Sequence, residues 1–174
     1  MYVLSELLGL GMVQPTVIRD GPRCAGSFQW FVDADHSEHD FTVYEQHEHL
    51  DHRLSELAVL DVVGNKTDRK SGHCLLQPGA DGDPAGDRVW AIDNGLCFGS
   101  SYKLRSVIWE CGGEPVDDAL LDRIAPMVER IPVDIAALLD DDEIEAMQRR
   151  AAALLTERRL TEDDSGHLYP WQFI

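Results

Sequence analysis

Apolar residues along the chain recur at helical spacing in some stretches and cluster in short strand-like runs in others, and these switches divide it into elements. Val3, Leu4, Leu7, Leu8 and Leu10 predict a helix over 2–10, stopped by Gly9 and Gly11. PTVIRDG and SFQWFVD predict two strands joined by the Gly-Pro turn of GPRCAG. DADHSEHD is a polar break. From Glu48 to Val63, Leu50, Leu54, Leu57, Ala58 and Leu60 fall on one helical face. Two further short strands, HCLLQ and RVWAID, flank PGADGDPAGD, whose Pro, Gly and Asp content signals a turn. The last third predicts helices over 116–129, 132–139 and 141–159, interrupted at Pro126 and Pro132. The aromatics of the terminal HLYPWQFI are expected to pack back on the body. Neither an internal repeat nor a low-complexity segment is visible.

Composition narrows the class. A chain of 174 residues, 44% apolar and 27% charged, suits one domain able to bury a core. Fifteen Lys and Arg against 32 Asp and Glu give a net charge of −17, which repels nucleic acid and anionic bilayers as partners. The four cysteines lie far apart without a C-x-x-C pair, so reduced thiols and a cytoplasmic setting are expected. No apolar run is long enough to span a bilayer, and MYVLSELLGLGMV lacks the basic start of a signal peptide.

Against that acidic background the stretch VVGNKTDRKSGHCLL gathers basic side chains around Asp68. His73 follows Asp68 by five residues, and a predicted hairpin leads from there to Asp93 in AIDNG. In protein-kinase-like enzymes an Asp accepts the substrate hydroxyl proton, and a metal ligand follows five residues later. A hairpin then delivers a second Asp to the metal that bridges the ATP phosphates. Such chemistry asks for positioning and charge neutralisation, which this spacing can supply.

GNKTDRKSGHCLL and VWAIDNGLCF together resemble the catalytic and metal-binding motifs of the phosphatidylinositol 3- and 4-kinase superfamily. Type II phosphatidylinositol 4-kinases carry similar N-T-D-R and A-I-D-N-G-L sequences. The resemblance is stronger to a largely actinobacterial branch of kinase-like proteins with a D-x-x-x-N-x-x-D-R-K-x-G-H-x-L loop. Asp61, Asn65, Asp68, Arg69, Lys70, Gly72, His73 and Leu75 match that loop. The resemblance implies an α+β protein-kinase-like fold in one domain: residues 1–33 a remnant of the N-lobe and hinge, 34–174 the helical C-lobe. It implies transfer of the γ-phosphate of ATP to a hydroxyl of a protein, lipid or small molecule. Asp68 would be the general base, Arg69 or Lys70 would counter the transferring phosphate, and Asp93 and His73 would hold Mg²⁺. Trp30, Phe31 and Val32 would lie near the adenine. Asn65 is expected to bond loop backbone. His73 stands where most kinases use Asn, and an imidazole suits Mn²⁺ better than Mg²⁺.

The chain departs from the family in one respect. Its three lysines, Lys66, Lys70 and Lys103, all follow the first two strands, and no Gly-rich loop precedes them. Met1 is expected to fall inside the family's helix C. A pseudokinase that binds nucleotide or a partner without turnover is therefore the alternative. A third reading rests on HEHLDH, which matches the H-x-H-x-D-H metal motif of metallo-β-lactamase-fold hydrolases. It would put His47, His49, Asp51 and His52 on zinc, with His36 and His39 nearby. As a helix opening, the same run points its residues to different faces. DDDEIEA reads as an acidic helix start, Trp109 as packing, and Cys97 as buried filler without a base to activate it.

Overall fold

The computed structural model describes all residues except His36, 163–168 and 171–174, and the chain is α+β. Helix α1 (Tyr2–Leu7) ends where Gly9 and Gly11 turn at φ +67° and +58°. Strands β1 (Thr16–Asp20) and β2 (Ala25–Gln29) form an antiparallel hairpin with Thr16 opposite Gln29. Nearly all of this hairpin is exposed, including Val17, Ile18 and Phe28. The expected second strand stops short of Trp30, Phe31 and Val32, which continue as irregular chain.

Next come α2 (Asp40–Gln46), a 3-10 turn over Glu48–Leu50, and α3 (Asp51–Gly64). Helix α2 escapes the sequence pattern because DFTVYEQ mixes β-branched and aromatic residues of weak helix propensity. It is started instead by a local bond, in which the His39 N–H donates to Thr42 Oγ1 at 2.8 Å. Helix α3 is the central element: everything from Leu57 to Gly64 is buried, too much of its circumference for an amphipathic stripe.

Strands β3 (Cys74–Gln77) and β4 (Arg88–Ala91) form the second antiparallel hairpin, with Cys74 opposite Ala91 and Gln77 opposite Arg88. The Ala91 N–H also donates to the Met12 carbonyl, tying this hairpin to the chain after α1. Residues 92–117 run without helix or strand. The predicted helix over 116–129 is divided into α4 (Asp118–Ile124) and α5 (Pro126–Glu129), Pro126 opening the second piece. Helix α6 (Val133–Ala136) is one turn, and α7 (Asp141–Glu157) is the longest element.

The acidic start of α7 is a capping box: the Glu143 N–H donates to Asp140 Oδ1 and the Asp140 N–H to Glu143 Oε2. Behind it Met147, Ala151 and Leu154 pack into one hydrophobic core that runs from Leu4 through α3 and β3 to Leu160. Arg150 reaches across from α7, its Nε donating to the Val63 carbonyl at 2.9 Å. Of the terminal aromatics, Tyr169 meets Trp109 edge-on with centroids 6.5 Å apart; the rest lie outside the described residues. Among the described residues, no helix is long and apolar enough to cross a membrane.

Candidate functional site

Helix α3 ends on Asn65, which takes the left-handed conformation at φ +50°. That turn buries Asn65 and commits its amide to backbone. Nδ2 donates to the carbonyls of Gly99 and Ser101, both at 2.8 Å, and Oδ1 accepts the Lys103 N–H at 2.9 Å. The expected backbone role of Asn65 is what the structure places there. Main-chain bonds continue the pairing: Phe98 N–H to Gly64, Thr67 N–H to Leu96, Arg105 N–H to Lys66 and Arg69 N–H to Arg105. The 64–69 loop is thus sewn along its length to residues 96–105.

Arg69 requires a correction. It is completely buried, and its guanidinium faces the protein instead of a transferring phosphate. Nε and Nη2 grip Asp61 bidentately at 2.9 and 2.8 Å. Nη1 donates to the Ile92 carbonyl at 2.8 Å and Nη2 also to Asn94 Oδ1 at 2.8 Å. The Asp61 charge beside it keeps Arg69 protonated despite burial. One side chain therefore joins α3, the loop carrying Asp68, and the turn carrying Asp93. It positions that turn and is out of reach of a substrate.

Asp68 pairs with Lys70 and His73 with Asp93, and the Asp68 main chain joins the two pairs. The β3–β4 register sets His73 opposite Ile92, whose N–H donates to the His73 carbonyl at 2.9 Å. Asp93 follows in the left-handed conformation at φ +49°, and its Oδ2 lies 3.4 Å from His73 Nε2. His73 Nδ1 sits 3.1 Å from the Asp68 carbonyl. The Lys70 N–H also points at Nδ1, 3.3 Å away, so the ring has two neutral forms. With Nδ1 protonated it donates to the Asp68 carbonyl and turns an Nε2 lone pair toward Asp93, the tautomer a metal ligand needs. With Nε2 protonated it accepts from Lys70 and faces Asp93 as a donor. Burial lowers the His73 pKa against the opposing pull of Asp93, favouring the neutral ring. Lys70 Nζ stands 3.5 Å from Asp68 Oδ2, and both side chains are partly open to solvent.

An open cleft of about 440 Å³ ends at Asp93 and is walled by Gln14, Gln29, Trp30, Phe31, Val32, Leu75 and Ile92. The three residues expected near an adenine thus share a cleft with the carboxylate expected to hold a metal. Val32 is buried, whereas Trp30 and Phe31 present their rings to solvent. A larger groove of about 720 Å³ shares none of these residues. Asp51, Glu56, Glu114 and Asp117 line it, and their charge would repel a polyphosphate.

Lys66 was singled out only as one of three lysines, yet its side chain is buried. Among the described residues nothing within hydrogen-bonding or ion-pairing distance holds its ammonium. Burial and the Arg69 charge lower its pKa, while Asp61 and Asp93 pull it back up. This desolvated ammonium is coupled electrostatically to Asp93, the carboxylate at the end of the cleft. The four-residue spacing of Asp61 and Asn65, ahead of the loop, was the signal that α3 itself contributes to the site.

HEHLDH does not converge. Asp51 and His52 line the 720 Å³ groove, while His47 and His49 pair with Glu38 and Asp87. Cys97 is half-buried; its thiol donates to the Asn94 carbonyl at 3.0 Å, and burial raises its pKa, so it is no nucleophile.

No known protein-family model matches the chain. It is 32% identical over 210 aligned residues to Protein Rv2133c of Mycobacterium tuberculosis, a match that takes in 98% of this chain and 72% of that protein.

Three variants test the site's construction. Asp61→Ala strands the Arg69 charge and should cost about 3–5 kcal/mol in urea unfolding. The double change Asp61→Leu/Arg69→Met should cost less than either single one, and additive losses would argue against the clamp. Lys66→Met should raise the melting temperature without ligand, because it removes a desolvated cation; a lower melting temperature would mean that the ammonium is well paired.

Proposed function

The chain belongs to the family of Protein Rv2133c, and on that premise we propose that it is an ATP-dependent phosphotransferase with a protein-kinase-like fold. The observation that carries the reading is a pair of contacts, Lys70 with Asp68 and His73 with Asp93, joined through the Asp68 carbonyl, with Asp93 at the end of a cleft walled by Trp30, Phe31 and Val32. In this reading the adenine lies against Trp30–Val32 and Leu75, and the phosphates run toward Asp93. Asp68 accepts the proton of an acceptor hydroxyl, and Lys70 beside it counters charge on the transferring phosphate. Lys66 adds a second positive charge behind Asp93. ATP as donor implies a cytoplasmic setting.

The donor atoms suit a divalent cation. Asp93 Oδ2 and His73 Nε2 are 3.4 Å apart, close to the spacing of two neighbouring ligands on one ion. The imidazole moves the preference from Mg²⁺ toward Mn²⁺. When bound, the ion would neutralise phosphate charge; the protein's part is to orient the two ligands through the Asp68 carbonyl and the Arg69 clamp.

A second reading is favoured by one observation: among the described residues, no lysine or arginine lines the cleft. A pseudokinase of the same fold would bind nucleotide there and regulate a partner without turnover.

Thermal melts with ATP and metal, read beside transfer of labelled γ-phosphate, separate these. The phosphotransferase reading expects a melting shift with Mn²⁺·ATP at least as large as with Mg²⁺·ATP. The shift should vanish in Asp93→Ala. Asp68→Asn should keep the shift and lose transfer by roughly a hundredfold or more. Binding without transfer in the unaltered chain means the pseudokinase, and no shift at saturating ATP rejects both.

A further inference from the structure

Three metal-binding side chains, His47, His49 and Asp87, meet where the turn between α2 and α3 faces the loop joining β3 to β4, and Glu38 stands beside His47. His49 Nε2 lies 3.0 Å from Asp87 Oδ2, and His47 Nε2 lies 3.8 Å from Glu38 Oε2. The two imidazole rings stand 5.9 Å apart. One donor atom from each of His47, His49 and Asp87 falls within 4.8 Å of the other two.

Two further features point to an ion. Glu38 Oε2 is buried and has no hydrogen-bond partner among the described residues, an unfavourable state for a carboxylate that a cation would relieve. Asp87 is held from behind: its Oδ1 accepts the Gly79 N–H at 2.8 Å, which aims Oδ2 at His49. Such an outer bond on a carboxylate is what orients a metal ligand. The His49 side chain is 42% exposed, so an ion can enter from solvent.

We propose that His47, His49 and Asp87, with Glu38 as the fourth ligand, form a Zn²⁺ site independent of the ATP cleft. Two imidazoles and two carboxylates match the nitrogen and oxygen donors of four-coordinate zinc, whereas Ca²⁺ and Mg²⁺ favour all-oxygen shells. Zinc bonds of about 2.0–2.1 Å set donors roughly 3.3 Å apart in a tetrahedron; on binding, the three donors would close in from within 4.8 Å and Glu38 would swing in beside His47. The ligands differ from those of the H-x-H-x-D-H motif: Glu38 and Asp87 take the places of Asp51 and His52. The ion would clip the tip loop of the β3–β4 hairpin onto the helices.

Calorimetric titration of Zn²⁺ into the metal-stripped full chain tests this, with Co²⁺ absorption reporting coordination geometry. The expected result is one Zn²⁺ per chain, a tetrahedral Co²⁺ spectrum and a raised melting temperature. His49→Ala and Asp87→Asn should each weaken binding by at least roughly tenfold, whereas His52→Ala should leave it unchanged. Asp87→Asn keeps an acceptor for the Gly79 N–H, and circular dichroism verifies that it folds. Absence of saturable binding, binding that survives Asp87→Asn, or binding lost in His52→Ala would each overturn the site.

Discussion

The buried pair of Arg69 and Asp61 is the interaction on which the site depends. A charge inside a protein costs least when its bonds are met, and Arg69 has them met by three residues from two segments of the chain outside its own loop. Asp61 lies near the end of α3, Arg69 in the loop beyond it, and Ile92 and Asn94 on either side of Asp93. A change in any of these segments is felt by the others, because a guanidinium is a rigid planar fork. The position of Asp93 relative to Asp68 is thereby referred to the best-buried helix in the molecule.

The second constraint is the hairpin register. With Cys74 opposite Ala91, His73 and Asp93 are carried past the ends of the two strands to the same edge, 3.4 Å apart. Asn65 commits both amide hydrogens and its oxygen to backbone, which fixes the path of residues 99–103. Between these anchors the groups left open to solvent are the ones suited to chemistry: Asp68, Lys70 and Asp93. Lys66 is different: among the described residues no hydrogen bond or ion pair holds its ammonium, and the charges of Asp61 and Asp93 offset its burial only in part.

Much of this was legible in the residue order. The spacing from Asp68 to His73, the Pro-Gly-Asp turn and the strand leading to Asp93 announced a hairpin-linked site, and Asn65 announced its own backbone role. What stayed hidden has physical reasons. Charge alone does not say whether an arginine faces water or a buried carboxylate, so Arg69 looked like a phosphate contact. Helix α2 depends on one cap bond and on packing rather than on propensity. The approach of His49 to Asp87, 38 residues later in the chain, is a product of tertiary structure. Within HEHLDH itself, the helix-opening reading holds: Asp51 and His52 face one groove while His47 and His49 face Glu38 and Asp87.

The claim that matters most is that Asp93 and His73 together hold a nucleotide-bound cation. Spin-echo electron paramagnetic resonance of Mn²⁺·ATP with the full chain examines it directly, because a coordinated imidazole nitrogen modulates the manganese echo. The account predicts nitrogen modulation in the unaltered chain that disappears in His73→Asn while Mn²⁺·ATP remains bound. A bound Mn²⁺·ATP without nitrogen modulation, or with modulation unchanged in His73→Asn, would contradict it.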